Sequence, residues 1–248
     1  MDWVLGLFAL VLCVSYGVQT ITGFGSMLLA VTLGAQLMPI DRVLTLALPL
    51  SLLQTTYVVI WHWRSIEWRL LLARILPAMG LGMLVGFWVA AQAPDAGLKR
   101  ALGVLVFALA SRELWRLVPR PGGAGQPRKL PGAVVLVVMW MAGIVHGVFA
   151  TGGPLLVYVT SRLGLDKHAF RATLTAVWLV LNSVLIARFA AEGRFTREIG
   201  QSVLWLAPAI LMGIFLGEKL HERVNEQRFR VAVYALLLAA SLVLLVRG

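Results

Sequence analysis

Six polar side chains, Thr22, Ser26, Gln54, His146, Thr151 and Asn182, sit in stretches otherwise free of charge, and each can donate a hydrogen bond. Gly23, Gly25, Gly152 and Gly153 lie beside three of them, in the clusters Thr22-Gly23-Phe24-Gly25-Ser26 and Thr151-Gly152-Gly153-Pro154. Glycine tolerates non-helical backbone, Ser26 suits the N-cap of a new helix and Pro154 suits its first turn, so each cluster reads as a helix break. A helix beginning there offers unpaired N–H groups and the positive end of its dipole, and the chemistry this favours is anion binding. The plainer alternative, that these glycines only let helices pack closely, is disfavoured by two polar breaks in matching positions. The two starts are expected to face each other near the membrane midplane.

Gln54 and Asn182 could line such a site or form a hydrogen bond between helices, with little to separate the two roles. His146 is the one ionisable side chain deep in an uncharged run, which suits it to carry a proton or pair with an anion. A neutral imidazole bonded to a carbonyl is an equal alternative. All eleven acids, from Asp2 to Glu226, fall in loops or at helix ends, which argues against a carboxylate relay or a carboxylate sodium site. One cysteine, Cys13, precludes an intrachain disulfide or a cysteine metal pair. A haem would want facing histidines and a zinc hydrolase a His-Glu-x-x-His motif, neither of which is present, so no metal, cofactor or catalysis is expected.

The elements that must position these residues are membrane helices. The chain is 60% hydrophobic and 13% charged with mean hydropathy +0.86, and its apolar runs have the length of a bilayer crossing. The net charge of +11 would suggest nucleic acid in a soluble protein. Here the basic residues lie in short loops, where they set topology and meet lipid headgroups, so the bilayer is the expected partner and nucleic acid is not. Met1-Asp2-Trp3 lacks a basic leader, so the first apolar segment is expected to be retained. Residues 3 to 40 carry no charge and would span about 57 Å as one helix, nearly twice the hydrocarbon core, so they must break. Residues 130 to 161 form a second such run. Single crossings fit 43–61, 70–91, 98–117, 170–190, 198–217 and 229–246, with Ser111-Arg112-Glu113 making 98–117 the weakest.

The halves resemble each other. At an offset of 128, Gly25 meets Gly153, Thr45 meets Thr173, Leu46 meets Leu174 and Gln54 meets Asn182. Pro77-Ala78 with Gly82 and Gly86 is matched in spacing by Pro208-Ala209 with Gly213 and Gly217, small-xxx-small patterns whose expected role is packing. The expected fold is an all-α polytopic membrane protein of two four-segment inverted repeats, each opening with a broken or re-entrant helix. Residues 1–118 form the first repeat, 119–131 a basic Gly- and Pro-rich cytoplasmic linker, and 132–248 the second repeat. If both uncharged runs enter and return on one side, fifteen of the 22 Lys and Arg fall on one face. The other seven are Arg42, Lys99, Arg100, Arg188, Arg194, Arg197 and Arg247, which by the positive-inside rule places both termini outside.

The stretches "TGFGSMLLAVTLG", "GVFATGGPLLVYVT" and "FRATLTAVWLVLN", with the paired Pro-Ala-x3-Gly-x3-Gly segments, resemble the TauE/SafE family of membrane permeases, also called sulfite exporters. The resemblance spans nearly the whole chain. It implies transport of a small sulfur-containing or carboxylate anion across the bacterial inner membrane. By position it points to Gly23, Gly25, Gly152, Gly153 and Pro154 as the family's glycine-rich breaks, with Arg171, Thr173 and Asn182 in the following helix. The resulting expectation is a secondary transporter or facilitator, an exporter of sulfite, an organosulfonate or a related anion by alternating access. An accessory subunit of a membrane complex and a proton-coupled permease for another small organic solute remain alternatives. A homodimer is compatible with the sequence.

Overall fold

The computed structural model describes residues 3–22, 25–117, 130–221 and 225–247, and every regular element among them is helical. The expected linker lies outside the described residues except for Leu130 and Pro131, as do Gly23 and the side chain of Thr22. In chain order the helices are α1 (Trp3–Thr22), α2 (Ser26–Gly34), α3 (Ile40–His62), the single turn α4 (Trp68–Leu70), α5 (Leu76–Gln92) and α6 (Asp95–Leu117). They continue as α7 (Gly132–Phe149), α8 (Gly153–Thr160), α9 (Lys167–Ala191), α10 (Arg197–His221) and α11 (Glu226–Arg247).

Among the described residues, seven segments are long and apolar enough to cross a membrane: Trp3–Ile21, Ile40–Ser65, Trp68–Gln92, Gly132–Phe149, His168–Ala191, Arg197–Leu220 and Phe229–Val246. The expected crossing at 98–117 does form a helix, α6. It is not among the seven, since Lys99, Arg100, Arg112, Glu113 and Arg116 dilute its apolar character. Both uncharged runs break where the glycines fall. The pieces are unequal: α1 and α7 have the length of a crossing, whereas the 9 residues of α2 and 8 of α8 rise only about 12–14 Å.

The chain divides into two compact units, each drawing helices from both halves of the sequence. The first comprises Met1–Leu44, Ala93–Gly125 and Gly200–Gly248, the second Thr45–Gln92 and Gln126–Ile199.

In a bilayer, lipid tails solvate an apolar surface as well as another helix does, so helices associate by close packing and not by hydrophobic expulsion. The second unit does this at a glycine seam. A Cβ on Gly82 of α5 would strike the Trp140 carbonyl of α7, one on Gly86 the Ile144 carbonyl, and ones on Gly143 and Gly147 the Met79 and Met83 carbonyls. Contacts advance along both chains together, so α5 and α7 run parallel with backbones touching. Upstream of α5, Leu71–Ile75 form a π turn. Pro77 accounts for it: proline has no N–H to give the Ala73 carbonyl four residues back, and its ring crowds that carbonyl.

The first unit repeats the device where α10 crosses α1, since a Cβ on Gly213 would strike the Cys13 carbonyl and one on Gly217 would come within 2.8 Å of Thr20. In the same unit Gly103 of α6 lets α11 approach, its Cβ position lying 3.2 Å from the Ser241 carbonyl oxygen. Asp95 at the start of α6 accepts from the Ile40 amide at 3.0 Å, capping α3. Outward-facing Leu53, Ile60, Leu204, Trp205 and Leu211 are well exposed, as lipid-facing side chains are, and Trp61, Trp63 and Trp68 are exposed around one loop in the manner of an interfacial belt.

Candidate functional site

The second break lies within the second unit. α7 ends at Phe149, and Ala150 takes the left-handed conformation (φ 54) as its cap, its amide bonding the His146 carbonyl at 2.7 Å. Neither Gly152 nor Gly153 adopts a positive φ, so the left-handed turn falls on an alanine and not on the glycines the sequence suggests. Gly152 is needed for space instead. A Cβ there would strike the Ala142 carbonyl and come within 3.0 Å of His146 Cβ. α8 then starts at Gly153 with Pro154 in its first turn. Its first bond to the preceding turn is Leu156 N–H to the Gly152 carbonyl, so the Gly153 and Leu155 amides begin without partners inside their own helix.

Three polar side chains stand at or around this start, each more than nine-tenths buried: His146, Thr151 and Asn182. Among the described residues, His146 Nδ1 and Nε2, Thr151 Oγ1 and Asn182 Oδ1 all lack a hydrogen-bond partner. Buried polar atoms are nearly always paired, because an unmade bond in a low-dielectric interior costs about 1–3 kcal/mol. The His146 ring stacks on Trp178 of α9, centroids 5.5 Å apart, and the same indole lies 3.6 Å from where a Gly153 Cβ would stand. Asn182, one turn beyond Trp178, lies beside His146 without closing a hydrogen bond of good geometry to it. Its Nδ2 donates instead to Ser51 Oγ of α3 at 3.1 Å.

The structure therefore brings His146, Gly152, Gly153 and Asn182 together, with Thr151 in the break itself. It adds Ser51 and Trp178, which sequence reasoning missed. Asn182 is met by Ser51, not by its repeat-equivalent Gln54. Gln54 sits one turn further along α3, half-buried and without a hydrogen bond among the described residues. Thr173 accepts from the Glu67 amide at 3.0 Å and serves the loop before α4, while Arg171 is exposed at the start of α9.

The first break lies in the first unit. Gly25 has φ 99 and is itself the N-cap of α2, so Ser26 is the first helical residue and not the expected cap. Glycine at position 25 removes the steric cost of that left-handed turn. Ser26 is buried. Gly25 lines a cavity of about 20 Å³ with Val18, Leu28, Arg230 and Tyr234, room for about one water. Among the described residues no cluster of His, Cys, Asp or Glu could hold a metal ion.

Seven crossing-length helices, with buried polar groups gathered at a break, are the build of a multi-pass membrane protein with an interior polar site. The chain belongs to the Sulfite exporter TauE/SafE family, whose model matches residues 7–244. It is 29% identical over 182 residues to the "Probable inner membrane transporter protein TsaS" of Comamonas testosteroni, covering 73% of each chain. It is 24% identical over 247 residues to the "Probable sulfite/organosulfonate exporter TauE" of Cupriavidus necator, covering 97% of this chain and 93% of that one. No solved structure gives a significant match.

Proposed function

We propose that this protein is a secondary transporter of the bacterial inner membrane that exports sulfite, an organosulfonate or a related small anion by alternating access, both termini facing the periplasm. The observation that carries this reading is the set of open hydrogen-bonding atoms at the second break: His146, Thr151 Oγ1 and Asn182 Oδ1, buried beside the start of α8. The Thr151 hydroxyl, the His146 N–H and the free amides of α8 are donors, and donors with a helix dipole behind them favour an anion. The Asn182 amide can turn its NH2 toward the substrate when Ser51 donates to the oxygen instead. Such a neutral wall holds an anion loosely enough to release it, as transport requires.

Thr22, Gly23, Gly25, Ser26 and Gln54 complete the proposed substrate path, the first break being the repeat-related counterpart of the second. The matched glycines of the proposed repeats lie where α5 packs on α7 and α10 on α1. The relatives named for sulfite and organosulfonate export and for inner-membrane transport support the substrate class and the location. A negative interior drives anion exit, and His146 is the residue that would couple protons if the transport is proton-linked.

Flux in proteoliposomes over sulfite, short alkanesulfonates, thiosulfate and small carboxylates tests this. Wild type should move a subset selectively, and Gly153→Leu, whose side chain would run into Trp178, should not. A folded wild-type protein that moves none of them would overturn the reading and point to an accessory role.

A further inference from the structure

Away from the break, the second unit carries a crevice of about 390 Å³ between the π turn and α5 on one side and α7 on the other. Its walls include Pro77, Leu81, Leu136, Val137 and Trp140, and Arg74 stands at one end. Leu81 is 63% exposed, Val137 56% and Leu136 48%, so the crevice opens outward along helices that cross the membrane. Because α5 and α7 are parallel and Gly82 meets Trp140, Arg74 lies level with the first turns of α7, a turn or so above which the chain leaves the apolar segment at Pro131. From Arg74 to Leu81 the crevice descends about 10 Å into the apolar zone.

Arg74 lies within the π turn, and the small side chains Ala73 and Ala78 line the crevice beside it. Arg74 is exposed and forms no ion pair or hydrogen bond among the described residues. A guanidinium with no protein anion, at the interfacial end of an apolar slot, matches a molecule with a negative head and a hydrocarbon tail. The neighbouring segment 118–129 is a poor occupant. It carries Arg120, Arg128 and Lys129 and, beyond Val118, no large apolar side chain.

We propose that this crevice is a binding site for one anionic phospholipid, its phosphate on Arg74 and an acyl chain between Leu81 and Trp140. The site stands apart from the transport reading and requires none of its residues.

The test is native mass spectrometry of the detergent-purified full chain titrated with phosphatidylglycerol or with phosphatidylcholine of identical acyl chains. Wild type should bind one phosphatidylglycerol about fivefold more tightly than phosphatidylcholine. Arg74→Gln should lose that preference while still binding both, and Ala78→Phe, which fills the floor, should weaken both. Arg74 is exposed and Ala78 half-buried, and the melting of both variants without added lipid is measured beside wild type to establish that they fold. Equal affinity for the two lipids in wild type, or an undiminished preference in Arg74→Gln, would overturn the proposal.

Discussion

Asn182 of α9 donates to the hydroxyl of Ser51 on α3 across 3.1 Å, both residues buried, and its own carbonyl oxygen has no partner among the described residues. One end of the amide is thus anchored and the other left open. Ser51→Ala should cost about 1 kcal/mol of stability by stranding the donor. Asn182→Asp puts a carboxyl, an acceptor when ionised, at the proposed anion site. If the protein exports an anion as proposed, flux should fall at least tenfold, by KM more than by turnover, and proteoliposome kinetics would reveal the split.

The two glycines of the second break should respond unequally to a single methyl. Gly152→Ala drives a Cβ into the Ala142 carbonyl and onto His146, with a cost of about 2 kcal/mol or more. Gly153→Ala meets only the Trp178 ring at 3.6 Å, an ordinary contact, and should melt within about 0.5 kcal/mol of wild type. Thermal unfolding in detergent compares them, and equal loss in both would contradict the packing described for the break.

The His146 ring packs flat against Trp178, so its loss has a structural and a chemical component. His146→Gln keeps a hydrogen-bonding group at that point and should retain most anion flux. If protons are coupled through the imidazole, the response of flux to an imposed pH gradient should vanish in this variant. Trp178→Leu should slow flux without altering that response. A pH-gradient response that survives His146→Gln would remove the histidine from any proton path.

Outside the membrane, Asp166 caps α9 by accepting from the His168 amide at 2.8 Å and the Ala169 amide at 3.0 Å. These bonds, Ala169 first, hold its carboxyl below its ordinary value of 3.8. A carboxylate depressed in the folded state contributes stability above its unfolded pKa and loses it as the pH falls through the folded one. Protection of the His168 and Ala169 amides from exchange should therefore persist at neutral pH and decline below about pH 4. Asp166→Asn should keep the cap and flatten that pH dependence, whereas Asp166→Ala should lose protection at every pH.

The parts of this fold legible in the sequence are those with a local cause. Uncharged runs too long for one crossing, interrupted by Gly, Ser, Thr and Pro, fix the helix ends at Thr22, Ser26, Phe149 and Gly153 to within a residue or two. The rest is tertiary. Ser51 looks like one more serine in an apolar helix, and Trp178 like one more lipid-facing indole, until α3 and α9 are laid beside the break. Ala150 carries no sign of its left-handed turn because no side-chain preference announces it. The unfavourable conformation is held by packing around a buried residue. The repeat offset makes Gln54 and Asn182 equivalent positions but names no contact of either, and the partner of Asn182, Ser51, is set by the crossing of α3 and α9.

The glycine seams also bear on how the chain is made. α5 has no partner until α7 leaves the ribosome, and α1, with its close approach to Gly213, must wait in the bilayer for α10, some 180 residues later. At about 5–20 residues per second, that leaves the face of α1 that meets Gly213 without its partner helix for about 10–40 seconds. During that interval its notched face is open to lipid and to any helper that shelters nascent membrane segments. Synthesised separately, the two halves should be unstable alone and yet recover a native pair when made in the same cell.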